Sequence, residues 1–240
     1  MKKHLFFVVS IACRFLIACQ LQQPAGEPEP VLSKEQTLEK RLDSLQAVAS
    51  PGDLIVRLGD DFLSYYIKYM NEKDYSYSHA GIIVEKDGQK MVVHITPDSV
   101  TSDRITYTPF DSFADINKTL QCAIYRYQIP DNEKEKALSI IDSFRRNYVR
   151  FDRLYELNTD DKLYCSEMIS KAFTKATDSR LHFKTILVPT KMLPLLNKYF
   201  ARDLKPEAIA KRTIMTIDNL YNIPECKPVM QITLKQLPGQ

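Results

Sequence analysis

After residue 20 the chain has no apolar run approaching the roughly 18 residues that a membrane-spanning helix requires, so the part beyond its first segment reads as soluble. Neither sign of charge dominates: 33 Lys and Arg against 30 Asp and Glu leave a net +3. A phosphate backbone calls for clustered basic residues with interleaved aromatics, and none occurs, which excludes nucleic acid as an expected partner. No CxxC or HExxH spacing is present, so a zinc site built on cysteine or histidine has no local signature, and no cofactor is expected. No internal repeat is visible. Histidine is scarce, with four in 240 residues.

What is present begins with a targeting pattern. Lys2 and Lys3 precede an apolar run over 5–12, and Leu16-Ile17-Ala18-Cys19 places small residues before a cysteine. This resembles a bacterial lipoprotein signal, predicting a signal peptide over 1–18, lipidation at Cys19 and a Gln- and Pro-rich tether over 19–32. The mature protein would then be exported, held to the membrane through a lipid anchor and periplasmic or outer-membrane-associated. The rest, 33–240, is expected to be one catalytic domain whose last segment, about 196–240, forms an extension. Cys13 and Cys19 fall in the signal, leaving Cys122, Cys165 and Cys226. Three thiols in an oxidising compartment leave at least one unpaired.

The element pattern is α+β, with helices packed on a small antiparallel sheet. Ser33 and Gln36 have capping-box spacing ahead of Leu38, Leu42 and Leu45, which predicts a helix over 34–49. A strand over 53–58, a helix over 62–70 and a strand over 119–128 follow. Asp131 is expected to cap a helix, and Asp160 or Asp161 another that carries Cys165. Helix is expected over 190–199 and 206–212, and Cys226, between Pro224 and Pro228, in a loop.

Between 78 and 96 two strands meet at Asp87-Gly88, a strong short hairpin signal. A two-residue turn there pairs Lys86 with Gln89, Glu85 with Lys90 and Ile83 with Val92. One face then carries Ala80, Ile82, Val84, Met91, Val93 and Ile95, a core face. The other carries His79 and His94 as diagonal neighbours within reach of one another, and is expected to be the polar face, with Glu85 and Lys90 as an ion pair at its solvated end. Cys165 stands near a helix start, where free backbone N–H groups and the helix dipole favour a thiolate and can hold an oxyanion. Taken alone, each histidine also reads as a half-exposed strand residue and Cys165 as a core thiol.

In combination, Pro51-Gly52-Asp53-Leu54-Ile55, Tyr77-Ser78-His79-Ala80-Gly81-Ile82, Val93-His94 and Tyr164-Cys165-Ser166-Glu167 resemble the circularly permuted branch of the NlpC-type papain-like hydrolases, the YiiX/YaeF-like proteins, over roughly 50–195. The histidine strand precedes the cysteine helix, as in that branch. The resemblance implies a permuted papain-like fold and a cysteine peptidase or amidase with Cys165 as nucleophile, His79 as base and His94 as third member, although some relatives carry a carboxylate at the last position. Tyr164, Tyr77 and Glu167 are candidates for substrate contact; the aromatics are as readily packing residues and Glu167 a first-turn carboxylate. The expected substrate is cell-wall peptide or a related small amide. A lipid or thioester acyl hydrolase or acyltransferase, and an inactive ligand-binding lipoprotein, stand as alternatives.

Overall fold

The turn at Asp87-Gly88 sets the register of the hairpin that it closes. Both residues lie in the left-handed region, φ 53° and 73°, the type I′ geometry that Gly adopts freely and Asp tolerates. The structure, a computed structural model, describes residues 32–97 and 102–235, so the signal, Cys19 and most of the tether lie outside the described residues.

In chain order the elements are α1 (Lys34–Val48), β1 (Leu54–Gly59), α2 (Phe62–Lys68), β2 (His79–Lys86), β3 (Gln89–Ile95), β4 (Ile105–Pro109), α3 (Phe110–Phe113), β5 (Thr119–Tyr127), α4 (Asp131–Arg146), β6 (Arg150–Phe151), β7 (Lys162–Leu163), α5 (Cys165–Ala176), β8 (Ile186–Leu187), a 3₁₀ turn (Thr190–Met192), α6 (Leu193–Tyr199), α7 (Pro206–Ala210), β9 (Thr213–Ile214), α8 (Asp218–Tyr221) and β10 (Cys226–Thr233). Among the described residues the main sheet has the order β10-β5-β1-β2-β3-β4, antiparallel throughout. Mixed helix and antiparallel sheet is the class that the sequence predicts. The hairpin pairs Lys86 with Gln89, Glu85 with Lys90 and Ile83 with Val92. At α1 the predicted cap is reciprocal: the Gln36 N–H donates to Ser33 Oγ at 3.1 Å and the Ser33 N–H to Gln36 Oε1 at 2.9 Å.

The sheet is covered on both sides, which corrects the expectation of a polar hairpin face. Leu54, Val56, Ala80, Ile82, Val93 and Ile95 pack against Ala137, Ile141, Met168 and Ile169 of α4 and α5. On the opposite face Ile55, Ile83, Val92 and Ile124 lie under Leu42 and Leu45 of α1 and Phe110 and Phe113 of α3. Burying apolar atoms on both faces removes more surface from water than a half-solvated sheet could. Lys90, expected to pair with Glu85, instead donates from Nζ to the Gln46 carbonyl at 2.6 Å, in the last turn of α1 where carbonyls lack helical partners.

The chain around Cys165 also departs from expectation. Asp160 and Asp161 cap no helix, because Lys162-Leu163 pair in parallel with Arg150-Phe151 and delay the helix to Cys165 itself, with Tyr164 as N-cap. Nor is Cys226 in a loop. It is buried and opens β10, an edge strand whose register shifts between Pro228 and Met230, where proline cannot donate to a ladder. The 190–199 and 206–212 predictions resolve into the 3₁₀ turn with α6 and a shorter α7. With β9 they build a separate apolar cluster of Met192, Leu196, Phe200, Ile209 and Ile214 against Tyr66 and Met70.

Candidate active site

Three strand ends and one helix start meet at the edge of the core. His79 is the first residue of β2, His94 lies near the end of β3, and Thr108 on β4 is diagonal to His94 across the Val92–Thr108 and His94–Thr106 pairs. Nε2 of His79 lies 3.0 Å from Nδ1 of His94, and Nε2 of His94 lies 2.8 Å from Thr108 Oγ1. Both rings are buried and flank Phe113, at 5.5 and 5.1 Å between centroids. The sequence missed Thr108 because it offered no signal for β4.

Cys165 occupies the first turn of α5, which packs across β2. The β2–β3 ladder ends at Ile82–Val93, two residues short of Ala80. Odd-numbered residues of β2 aim their N–H groups at β1, as Ile83 does to Asp53 O at 2.9 Å, so the Ala80 N–H points to the side where β3 has left. The backbone N–H groups of Ala80 and, at the helix start, of Ser166 and Cys165 favour the anionic form of the sulfur.

Burial nevertheless outweighs these donors. The Cys165 thiol is pushed up to about 11 by burial, a direction opposite to the one that the helix start by itself favours. His94 is pushed down to about 4, first by burial and then by the Arg57 guanidinium, and His79 is held well below its ordinary range by burial, His94 and Arg57 in that order. Burial thus favours the neutral form of all three groups. Cys165 and His79 line one cavity of about 470 Å³, and no hydrogen bond joins them in this resting arrangement.

Arg57 is a site residue that the sequence reading did not single out. It pairs with His79 across β1–β2, lines the same cavity, and its guanidinium lies 5.3 Å from the Phe113 ring centre. Its Nε is buried without a protein acceptor. An arginine in the middle of an apolar strand pattern was the available signal.

Of the three residues expected to contact substrate, Tyr164 lines the cavity, with its hydroxyl fixed as acceptor of the Met215 N–H at 2.6 Å. Tyr77 does not; it is buried between Tyr125 and Tyr221, at 6.4 and 5.9 Å between ring centres. Glu167 is likewise turned away. Its Oε2 accepts the Tyr164 N–H at 3.3 Å and its Oε1 lies 2.9 Å from Lys171 Nζ, so it caps the helix that carries Cys165. A first-turn carboxylate finds unpaired N–H groups closer than any ligand.

Among the described residues no three His, Cys, Asp or Glu side chains gather as ligands, and the two imidazoles meet nitrogen to nitrogen rather than converging on a common point.

No curated protein matches the chain. A solved structure, the crystal structure of metalloprotein yiiX from Escherichia coli O157:H7, shares the fold with a TM-score of 0.60 at 17% identity, covering 77% of this chain and 98% of that one. Residues 49–201 match the model of the permuted papain-like amidase enzymes, YaeF/YiiX, C92 family, a span that contains His79, His94 and Cys165. The chain belongs to that family of permuted papain-like amidases.

Proposed function

We propose that the chain is a cysteine amidase in which Cys165 is the nucleophile, His79 its base and His94 a positioning residue. The observation that carries this reading is the ordered series Thr108, His94, His79, which ends in the cavity that Cys165 lines. Two tautomer arrangements satisfy the series, and one serves catalysis. If His94 donates from Nε2 to Thr108 Oγ1, its Nδ1 accepts from Nε2 of His79, and the remaining nitrogen of His79, Nδ1, keeps its lone pair for the thiol.

In the reaction Nδ1 of His79 takes the Cys165 proton as sulfur bonds to the carbonyl carbon. The N–H of Cys165 stabilises the oxyanion. Collapse breaks the C–N bond, His79 returns the proton to the leaving amine, and water, deprotonated by His79, attacks the thioester to give the acid and the free thiol. Incubation with p-nitrophenyl acetate followed by peptide mass spectrometry tests the reading. With acid quenching in the first turnover, formation of acetyl-Cys165 is expected in the wild type and far more slowly in His79→Ala; the same acylation rate in both removes His79 as base, and p-nitrophenol release unchanged in Cys165→Ala removes Cys165 as nucleophile.

The signal-like segment supports a lipid-anchored, exported protein that would meet cell-wall peptide. Cys19→Ala is then expected to release the protein from the membrane fraction, and unchanged fractionation would refute the anchor.

A further inference from the structure

Three short segments of chain meet where α4 ends. Arg104 forms an isolated antiparallel bridge with Arg150 of β6, and Arg150 pairs in parallel with Lys162 of β7. The residue that follows each of them, Ile105, Phe151 and Leu163, is buried in the core that α4 and α5 cover. Alternation then forces Arg104, Arg150 and Lys162 to the outer side, where all three are exposed. The Phe151 N–H donates to the Asp103 carbonyl at 2.6 Å. Arg104 and Arg150 therefore face each other as a non-hydrogen-bonded pair, the closer of the two antiparallel spacings, about 4.5 Å between Cα atoms.

Like charges placed opposite one another on a sheet repel. The nearby carboxylates are engaged by other cations: Asp103 by Arg153 at 2.7 Å, Asp142 by Arg145 and Arg146 at 2.9 and 3.0 Å, and Asp160 by Lys171 at 2.8 Å. Among the described residues no carboxylate, Asp161 included, pairs with Arg104, Arg150 or Lys162. A row of one sign, unpaired and held together against its own repulsion, fits a partner that brings the opposite sign. None of the three lines the cavity at Cys165, and they rise side by side from the outer face of a small sheet. A plane of phosphates meets all three at once. Tyr148 stands beside the row, 64% exposed, with the Arg104 guanidinium 4.6 Å from its ring centre. An exposed phenol is the side chain that settles at the headgroup level of a bilayer, ring towards the acyl chains and hydroxyl in water.

We propose that this row is the face that the protein lays on a bilayer carrying anionic phospholipid, with Arg104, Arg150 and Lys162 on headgroup phosphates and Tyr148 between them and the acyl chains. The surface is independent of the amidase reading. The tether expected over 19–32 reaches at most about 50 Å when extended, enough for a domain anchored at Cys19 to turn this face to its membrane. Co-sedimentation of the mature chain, without attached lipid, tests it on phosphatidylcholine vesicles with and without about 30% phosphatidylglycerol at low salt. Each basic side chain near such a surface is worth about fivefold in affinity, so binding more than tenfold tighter to the anionic vesicles is expected. Arg104→Gln, Arg150→Gln and Lys162→Gln should each lose several-fold, and the triple variant should bind both vesicles alike. Replacing Lys34, Lys40 and Lys227 by Gln, which removes the same charge from α1 and β10, should leave binding as in the wild type. Equal wild-type binding to both vesicles, an equal loss in the two triple variants, or tighter binding to a short DNA duplex than to the anionic vesicles overturns the proposal. Relieving like-charge contact does not destabilise a sheet, so the triple variant should keep the wild-type unfolding midpoint; if it does not fold, the single variants decide.

Discussion

Nε2 of His79 and Nδ1 of His94 lie 3.0 Å apart, and that contact fixes which nitrogen of His79 is left for Cys165. His94 is therefore read as the group that orients the base and selects its tautomer, which makes substitutions there informative. Asparagine can accept from His79 Nε2 through its side-chain oxygen; alanine cannot. His94→Asn should retain most of the acylation rate, whereas His94→Ala should lower it about 10²-fold through loss of orientation, with little change in KM. Single-turnover acylation of Cys165 checks this. Equal losses in the two variants would deny the orienting role.

The two imidazoles also govern stability at low pH. Both are buried neutral, so their folded values lie below those of the unfolded chain. Above the ordinary histidine value of about 6.5 neither state binds the proton, and stability is intact. As the pH falls towards about 4 the unfolded chain takes up protons that the folded one refuses, and stability is lost. Urea unfolding between pH 7 and pH 4.5 should show uptake approaching two protons, reduced by about one in His94→Asn. An unchanged slope in that variant would mean that His94 is not buried neutral.

The thiol behaves in the opposite sense from a preformed thiolate. With Cys165 pushed up to about 11, its alkylation by iodoacetamide should increase with pH beyond the range of a free cysteine, about 8.5. Mass spectrometry of the alkylated Cys165 peptide against pH gives the midpoint. A midpoint below 8.5 would show that the resting site holds a thiolate–imidazolium pair.

How far the sequence revealed this site depends on which interactions are local. The hairpin was legible because the Asp87-Gly88 turn and strict alternation determine register without reference to the rest of the chain, so His79 and His94 could be placed side by side. The capping box at Ser33 was legible for the same reason. What covers the histidine face was not, since α1 and α3 reach it from residues some forty before and fifteen after the hairpin, through contacts that leave no periodic mark on β2 or β3. The opposing effect on the thiol was hidden for the same reason: a helix start favours the anion locally, whereas the desolvation that pushes the thiol up is a property of the assembled core. Thr108 required β4, a strand without a turn signal ahead of it, and the cavity walls required β9 and α6 to fold over α2.

Arg57 adds a positive charge that lowers both histidines after the larger effect of burial. Removing it should raise both values while leaving them below the ordinary range. The base must be neutral to take the thiol proton, so the acid limb of the kcat/KM profile should move to higher pH in Arg57→Met. Profiles of wild type and variant on an uncharged acyl anilide provide the check, because a neutral substrate isolates the effect on the histidines from any direct contact with Arg57. A superimposable acid limb would mean that Arg57 does not act on the base.

Glu167 offers a last test, because its two candidate roles separate in the kinetics. Burial pushes its carboxyl up to about 7 even with Lys171 beside it, and its oxygen accepts the Tyr164 N–H at the start of α5. Glutamine keeps that acceptor and adds no charge, so Glu167→Gln should fold and turn over substrate much as the wild type does. Alanine removes the acceptor, which costs about 1 kcal/mol at a helix start and loosens the turn that aims the sulfur. Glu167→Ala should therefore lower kcat and the unfolding midpoint together while KM stays within about twofold, since no substrate contact is lost. Were KM to rise in both variants at unchanged stability, Glu167 would be touching the substrate after all, and its ion pair with Lys171 would have to open for it to do so.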